Sequence, residues 1–265
     1  MNWMNIVWAI VVLGGLGVLF GVVLQIADKK FAVERDERVD KVRGCLAGAN
    51  CGACGYPGCD GFAEAVVKGE APVNGCSAGG AKVAAQVAEI MGVAAESETP
   101  RVARVICQGE CGVAKERYEY DGYMSCQMAA QMVGGPKMCR FACVGLGDCM
   151  DVCKFDAIHI ENGIAVIDQN KCTACGLCQK ACPRGVIQLW PKENSVIVRC
   201  RNSDSGRVAR EACMKACIAC KRCEKTCQYD AIHVENGFAK IDETKCTRCG
   251  ECVKNCPCGC ITINE

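Results

Sequence analysis

A thirty-residue segment of this chain occurs twice. CKFDAIHIENGIAVIDQNKCTACGLCQKAC, residues 153–182, returns as CQYDAIHVENGFAKIDETKCTRCGECVKNC, residues 227–256, shifted by 74 positions with 19 of 30 residues identical. A repeat on this scale marks a duplicated supersecondary unit. Each copy closes with the same run, C-x2-C-x2-C-x3-C-P. It comprises Cys172, Cys175, Cys178, Cys182 and Pro183, then Cys246, Cys249, Cys252, Cys256 and Pro257. The chain holds 28 cysteines in 265 residues, with only 5% aromatics. A fold with so few large apolar side chains needs something other than packing at its centre, and thiols at fixed spacing say what: disulfides, zinc or iron–sulfur clusters.

The spacing separates these three. The run is that of bacterial two-cluster ferredoxins, in which three cysteines bind one 4Fe–4S cluster and the fourth ligates the other. Each run needs a partner motif upstream. The second copy has a regular one, Cys217-x2-Cys220-x2-Cys223-x3-Cys227. In the first copy it is altered to Cys139-x3-Cys143-x5-Cys149-x3-Cys153, with Leu146 standing opposite Cys220. The crossover rule then assigns Cys139, Cys143, Cys149 and Cys182 to one cluster, Cys139 replacing the missing ligand, and Cys153, Cys172, Cys175 and Cys178 to the next. Cys217, Cys220, Cys223 and Cys256 form a third set, and Cys227, Cys246, Cys249 and Cys252 a fourth. Between the motifs, IHIENGIAVID alternates around Asn-Gly, a hairpin signal.

A separate block lies upstream, Cys51-x2-Cys54-x4-Cys59-x16-Cys76, with glycines at 52, 55 and 58 that let the backbone fold tightly around a ligand. Zinc sites usually pair two C-x2-C knuckles, and here there is one, so a fifth 4Fe–4S cluster is the favoured occupant and zinc the rival. A helix over 81–91 should follow, then a linker. Eight cysteines remain: Cys45, Cys107, Cys111, Cys126, Cys200, Cys213, Cys258 and Cys260. Cys107, Cys111 and Cys126 are candidates for a sixth cluster or another metal. His159 and His233, the only histidines, repeat at one position and point to packing; Asp168 and Asp242 repeat before Lys-Cys and point to turns.

Residues 1–27 carry no charged side chain, and Ile6–Ala27 is long enough, at roughly 33 Å as a helix, to cross a bilayer. A cleaved secretory signal is the rival, but no basic residue precedes the apolar run. Lys29, Lys30, Arg35, Arg38, Lys41 and Arg43 follow, so the positive-inside rule puts the cysteine-rich body in the cytoplasm. That compartment is reducing, which disfavours disulfides. A net charge of +1 offers no surplus for nucleic acid. The expected fold class is α+β: a transmembrane anchor (1–27), a helical stalk (28–44), a small mostly helical 4Fe–4S domain (45–93), a linker (94–106), and two tandem bacterial-type two-cluster ferredoxin units (107–192 and 193–265).

The anchor, the NCGACGYPGC…C block and the ferredoxin runs, in that order, resemble the B subunit of the Rnf complex, the membrane-bound, ion-translocating ferredoxin–NAD oxidoreductase. The likeness spans essentially the whole chain, in the longer form seen in anaerobes. It implies a subunit that takes electrons from soluble reduced ferredoxin and passes them to membrane-embedded and flavin-bearing subunits, with NAD+ reduced elsewhere and Na+ or H+ transported. Membrane lipid would contact Ile6–Ala27. No G-x-G-x-x-G fingerprint is present, so no NAD-reducing activity is expected of the chain alone. Two other readings remain open. One is a polyferredoxin subunit of another anchored enzyme, of hydrogenase or formate dehydrogenase type; the other is a zinc-rich interaction module.

Overall fold

A computed structural model describes residues 3–31, 36–94, 99–193 and 196–263. Residues 32–35 of the expected stalk and 95–98 of the expected linker lie outside these. The first helix, α1 (Trp3–Phe31), runs 29 residues, about 44 Å at the α-helical rise. Its Ile10–Ala27 stretch buries nothing against the rest of the chain. Among the described residues it is the one helix long and apolar enough to cross a membrane.

Three helices make the next body: α2 (Glu37–Cys45), α3 (Gly58–Val67) and α4 (Gly80–Met91). Asp36 starts α2, its carboxylate accepting from the Arg38 amide at 2.9 Å, a normal N-cap. Gly92 stops α4 in the left-handed region at φ +67°. Each helix turns an apolar stripe inward, and Val42, Phe62, Ala63, Val66 and Val87 form a small core. The Tyr56 and Phe62 rings meet edge-on at 5.7 Å.

The remainder is two copies of one plan. In the first, β1 (Arg101–Val105) is followed by the short helices α5 (Cys126–Gln131) and α6 (Asp148–Asp151). Then come the hairpin β2 (Ile158–Glu161) and β3 (Ile164–Ile167), α7 (Leu177–Ala181), and β4 (Ile187–Pro191). In the second, β5 (Val196–Val198), α8 (Gly206–Ala212) and α9 (Arg222–Thr226) precede β6 (Ile232–Glu235), β7 (Phe238–Ile241), α10 (Glu251–Lys254) and β8 (Ile261–Ile263). Each copy has two antiparallel pairs, an inner hairpin (β2–β3, β6–β7) and an outer pair joining its ends (β1–β4, β5–β8). The hairpins turn on Asn162-Gly163 and Asn236-Gly237, all four at positive φ, as a tight primed turn demands.

The expected linker therefore contains a strand. Arg101–Val105 pairs with Ile187–Pro191, Ala103 opposite Leu189, because the outer strand of the first copy would otherwise lack a partner. The two copies are also joined. Segment 107–140 lies along the second copy: Ala114 bridges Cys213, the Lys115 amide donates to the Ala212 carbonyl at 2.9 Å, and Arg140 pairs with Asp204 at 2.9 Å. Asp168 and Asp242 serve turns as expected, accepting from the Asn170 and Thr244 amides at 2.8 and 2.9 Å. His159 is exposed, so a packing role does not extend to it.

Candidate metal centres

Cys51 and Cys54 lie on the loop between α2 and α3, Cys59 at the start of α3, and Cys76 on the loop before α4. Gly52, Gly55 and Gly58 all take positive φ, so the loop curls tightly and its thiols turn inward. The Asn50 side chain clamps it, accepting from the Cys59 amide at 2.8 Å. The four thiols and Phe62 line a cavity of about 360 Å3.

In the second copy, Cys227, Cys246, Cys249 and Cys252 line a cavity of about 360 Å3, with Ile232 and Ile241 of the hairpin. Cys217, Cys220, Cys223 and Cys256 line another of about 310 Å3. Both groupings join residues on either side of the hairpin, the crossover read from the spacing. Two thiols that the motif did not use, Cys258 and Cys260, line the smaller cavity as well. The Cys260 sulfur lies 3.5 Å from that of Cys256 and also bonds that of Cys217. Hydrogen bonding within this trio pushes Cys260 up and draws Cys217 and Cys256 down.

In the first copy, Cys178 faces Cys172, Cys175 and Cys153, again the crossover grouping. Cys149 faces Cys143, Cys126 and Cys182, with Cys178 beyond. Cys139, expected beside them, instead lines a further cavity of about 330 Å3 together with Cys107, Cys200 and Cys213. Its near thiols are Cys107 and Cys213. Leu146, standing at the Cys220 position, packs against the small cluster of Cys126, Ala129 and Val144.

Burial dominates the thiols themselves. It pushes Cys149, Cys178, Cys200 and Cys223 up to about 12, and Cys143 and Cys252 up to about 11, so a chain without metal holds them as neutral thiols. Several sulfurs accept backbone amides: Ala103 to Cys172 at 3.3 Å, Cys143 to Cys107 at 3.4 Å, Cys217 to Cys200 at 3.3 Å and Ala231 to Cys227 at 3.4 Å. Among the described residues, no three Cys, His, Asp or Glu side chains converge on a point as ligands of a single ion do. The thiols ring open volumes instead.

Comparisons with known proteins cover the same segments. A family model for an Fe-S cluster domain, FeS, matches residues 46–78, and the 4Fe-4S binding domain, Fer4, matches 165–188 and 239–262. The chain is 51% identical over 252 residues to the B subunit of the Na(+)-translocating ferredoxin:NAD(+) oxidoreductase complex of Acetobacterium woodii, covering 95% of this chain and 76% of that protein. It is 40% identical to the B subunit of the ion-translocating oxidoreductase complex of Methanosarcina acetivorans, over 94% of this chain and 95% of that one. It is 41% identical to the B subunit of the proton-translocating ferredoxin:NAD(+) oxidoreductase complex of Clostridium ljungdahlii, over 97% and 92%.

Proposed function

Because this chain belongs to the family of B subunits of ion-translocating ferredoxin:NAD(+) oxidoreductases, we propose that its ringed thiols form a row of 4Fe–4S sites that carries electrons from reduced ferredoxin toward the membrane partners. The chain is an iron–sulfur electron-transfer subunit of such a complex. One observation carries the finer reading: the second copy has two cavities whose walls each include the four cysteines that two-cluster ferredoxin spacing groups by crossover, and the upstream block of four cysteines lines a third. The donor set fits the group. Four thiolates at about 2.3 Å from one zinc would pull the sulfurs together, whereas a cubane keeps them apart.

Cys51, Cys54, Cys59 and Cys76 would hold the first cluster. Cys153, Cys172, Cys175 and Cys178 would hold the second; Cys217, Cys220, Cys223 and Cys256 another; and Cys227, Cys246, Cys249 and Cys252 the last. Cys143, Cys149 and Cys182 supply three ligands of one more. A cluster so bound accepts and releases one electron at a time, at a potential set by hydrogen bonds to sulfur, charge and exposure. The chain's own part is to hold the thiolates, donate amides to them, and keep neighbouring sites close. α1 would anchor the chain in the membrane, with the basic flank and the cysteine-rich body on the cytoplasmic side. The other membrane and flavin subunits complete the reaction, since pairing single electrons into a hydride needs a two-electron carrier.

Anaerobic stopped-flow mixing of the purified chain with reduced ferredoxin tests the reading. The absorbance near 400 nm should bleach, and NAD+ added afterwards should leave it bleached. Turnover of NAD+ by the chain alone would overturn it, as would a colourless preparation carrying only zinc.

A further inference from the structure

We propose that Cys107, Cys139, Cys200 and Cys213 hold a sixth 4Fe–4S cluster between the two ferredoxin-type units, and that Cys126 is the fourth ligand with Cys143, Cys149 and Cys182. The inference rests on the reading of the other thiol-lined cavities as cluster sites.

The four thiols line one cavity of about 330 Å3, the size of the three others described. Each copy of the duplicated plan contributes two of them at matching places. Cys107 comes two residues after β1 and Cys200 two residues after β5. The amides preceding them are placed alike, Ile106 donating to the Val186 carbonyl and Arg199 to the Cys260 carbonyl, both at 2.7 Å. Cys139 and Cys213 are separated by the repeat offset of 74.

The hydrogen bonds to sulfur match too. Cys107 accepts from the Cys143 amide, and Cys200 from the Cys217 amide, at 3.4 and 3.3 Å. Cys107 also accepts from Gly109 and Cys200 from Asn202, each the residue two places on. Cys139 accepts from Phe141 and Cys213 from Lys215, again two places on. The Asn202 side-chain amide adds a bond to Cys139 at 3.4 Å. A pattern kept in both halves, with amides aimed at all four sulfurs, is what an anionic cluster needs of its cradle.

Charge agrees. Four cysteinates around a [4Fe–4S]2+ core carry a net charge of 2−, and the four thiols release four protons as they bind. Arg199, Arg201 and Lys215 line this cavity. Arg199 is held there by bonds from its guanidinium to the Val105 and Cys107 carbonyls at 3.3 and 3.1 Å. The buried Arg201 Nε has no hydrogen-bond partner among the described residues.

Assigning Cys139 here leaves three thiols at the neighbouring site, and the buried Cys126 already faces Cys149 there. Leu146, at the position of Cys220 in the second copy, packs against the cluster that contains Cys126. Twenty-four cysteines are then used, leaving Cys45, Cys111, Cys258 and Cys260 of the 28. The geometry also closes a gap. The Cys143 amide reaches Cys107, and the Cys217 amide reaches Cys200, so the site touches a ligand residue of its neighbour on either side.

The full chain, purified anaerobically, would be assayed for iron, acid-labile sulfide and low-temperature EPR after reduction. About 24 iron atoms per wild-type chain are expected, four per cubane. Cys107→Ala, Cys139→Ala, Cys200→Ala and Cys213→Ala should each lose about four irons and one and the same EPR component. Cys126→Ala should lose a different component, the one lost in Cys182→Ala, and Cys111→Ala should lose none. Cys246→Ala is the control: retention of all its iron would sink the underlying cluster reading rather than this assignment. About 20 irons in the wild type, unchanged in Cys200→Ala, would overturn the sixth site. So would Cys139→Ala and Cys182→Ala losing a common component. If the alanine variants shed all iron through misfolding, Cys200→Ser, which keeps a ligating oxygen, decides. One displaced EPR component supports the site, and an unaltered spectrum overturns it.

Discussion

The thiol of Cys51, in the N-terminal three-helix body, and that of Cys175, in the first ferredoxin-type unit, sit within electrostatic range of one another. Pro100, Arg101 and the Cys172–Ala174 loop border the same cleft as Cys76 and Ser77, so the two bodies meet where each displays a cluster loop. The three-helix body also follows the apolar helix directly in the chain, which makes it the natural exit toward the membrane.

That placement gives the first prediction. Cys51→Ala should leave the remaining centres reducible by ferredoxin but slow electron delivery to the membrane partners at least about tenfold, the cost of about 1.4 kcal/mol in barrier. Rates measured in the reconstituted complex check this. Unchanged delivery would place the exit elsewhere.

Phe62 is the largest buried side chain of the three-helix core, and its ring lines the Cys51–Cys76 cavity. Phe62→Ala should destabilise that body by about 3–5 kcal/mol, the usual cost of emptying an aromatic site. The cluster beside it should be lost first on heating, while the ferredoxin-type centres keep their spectra. Thermal loss of all centres together would show that the core is shared.

The Cys260 thiol is hydrogen-bonded with both Cys217 and Cys256. Cys260→Ala should keep the iron content and lower the reduction potential of the centre those two ligate, because a hydrogen bond to cluster sulfur favours the reduced, more negative state. A redox titration followed by EPR reads the shift. Loss of about four irons would instead make Cys260 a ligand.

Cluster loading should depend on pH. Thiols held up at about 11–12 by burial, such as Cys143 and Cys200, must each release a proton to ligate. Loading of the cluster-free chain should therefore strengthen as pH rises from 7 to 8.5, by about tenfold per pH unit for each thiol still protonated. The sign for the cluster-free fold is opposite. A raised thiol pKa stabilises it below the ordinary value of 9.0, and that stabilisation is lost toward 12. Reconstitution yield and circular dichroism over this range separate the two effects. A flat loading profile would mean the thiols are already ionised.

Much of the grouping of thiols is legible in the sequence. The crossover groupings around Cys175 and Cys249 follow from spacing alone, because a three-residue rhythm on a tight loop leaves the thiols no other way to converge. Spacing groups Cys139 with Cys143, whereas the structure sets it in the cavity lined by Cys107, Cys200 and Cys213, and the difference has a physical reason. Leu146 breaks the motif, and Cys139 is the nearest thiol in sequence, whereas Cys126 reaches the site from a separate short helix. A signal does exist in the offset of 74, which carries Cys139 onto Cys213 and Cys126 onto Cys200. The match of Cys107 to Cys200 is hidden because the segment from 107 to 140 lengthens the first copy, so that pair is 93 residues apart. β1 is illegible too: five residues after Pro100 show a strand only once the partner at Ile187–Pro191 is known.

The matched amide-to-sulfur bonds of Cys107 and Cys200 have a consequence for how the molecule is made. In the proposed sixth site each ferredoxin-type unit carries half a socket, and Cys200 follows Cys139 by 61 positions. A ribosome that has released the first unit has produced a surface of bare thiols that waits for the rest of the chain. At the proposed shared site maturation could not finish one unit at a time; its cluster would enter only after the second unit is made, and would then rivet the two copies together. Duplication here did more than lengthen a conductor. With the proposed shared site the copies depend on one another there, so that a chain cut between them would lose that cluster while each half kept the thiol sites lying wholly within it.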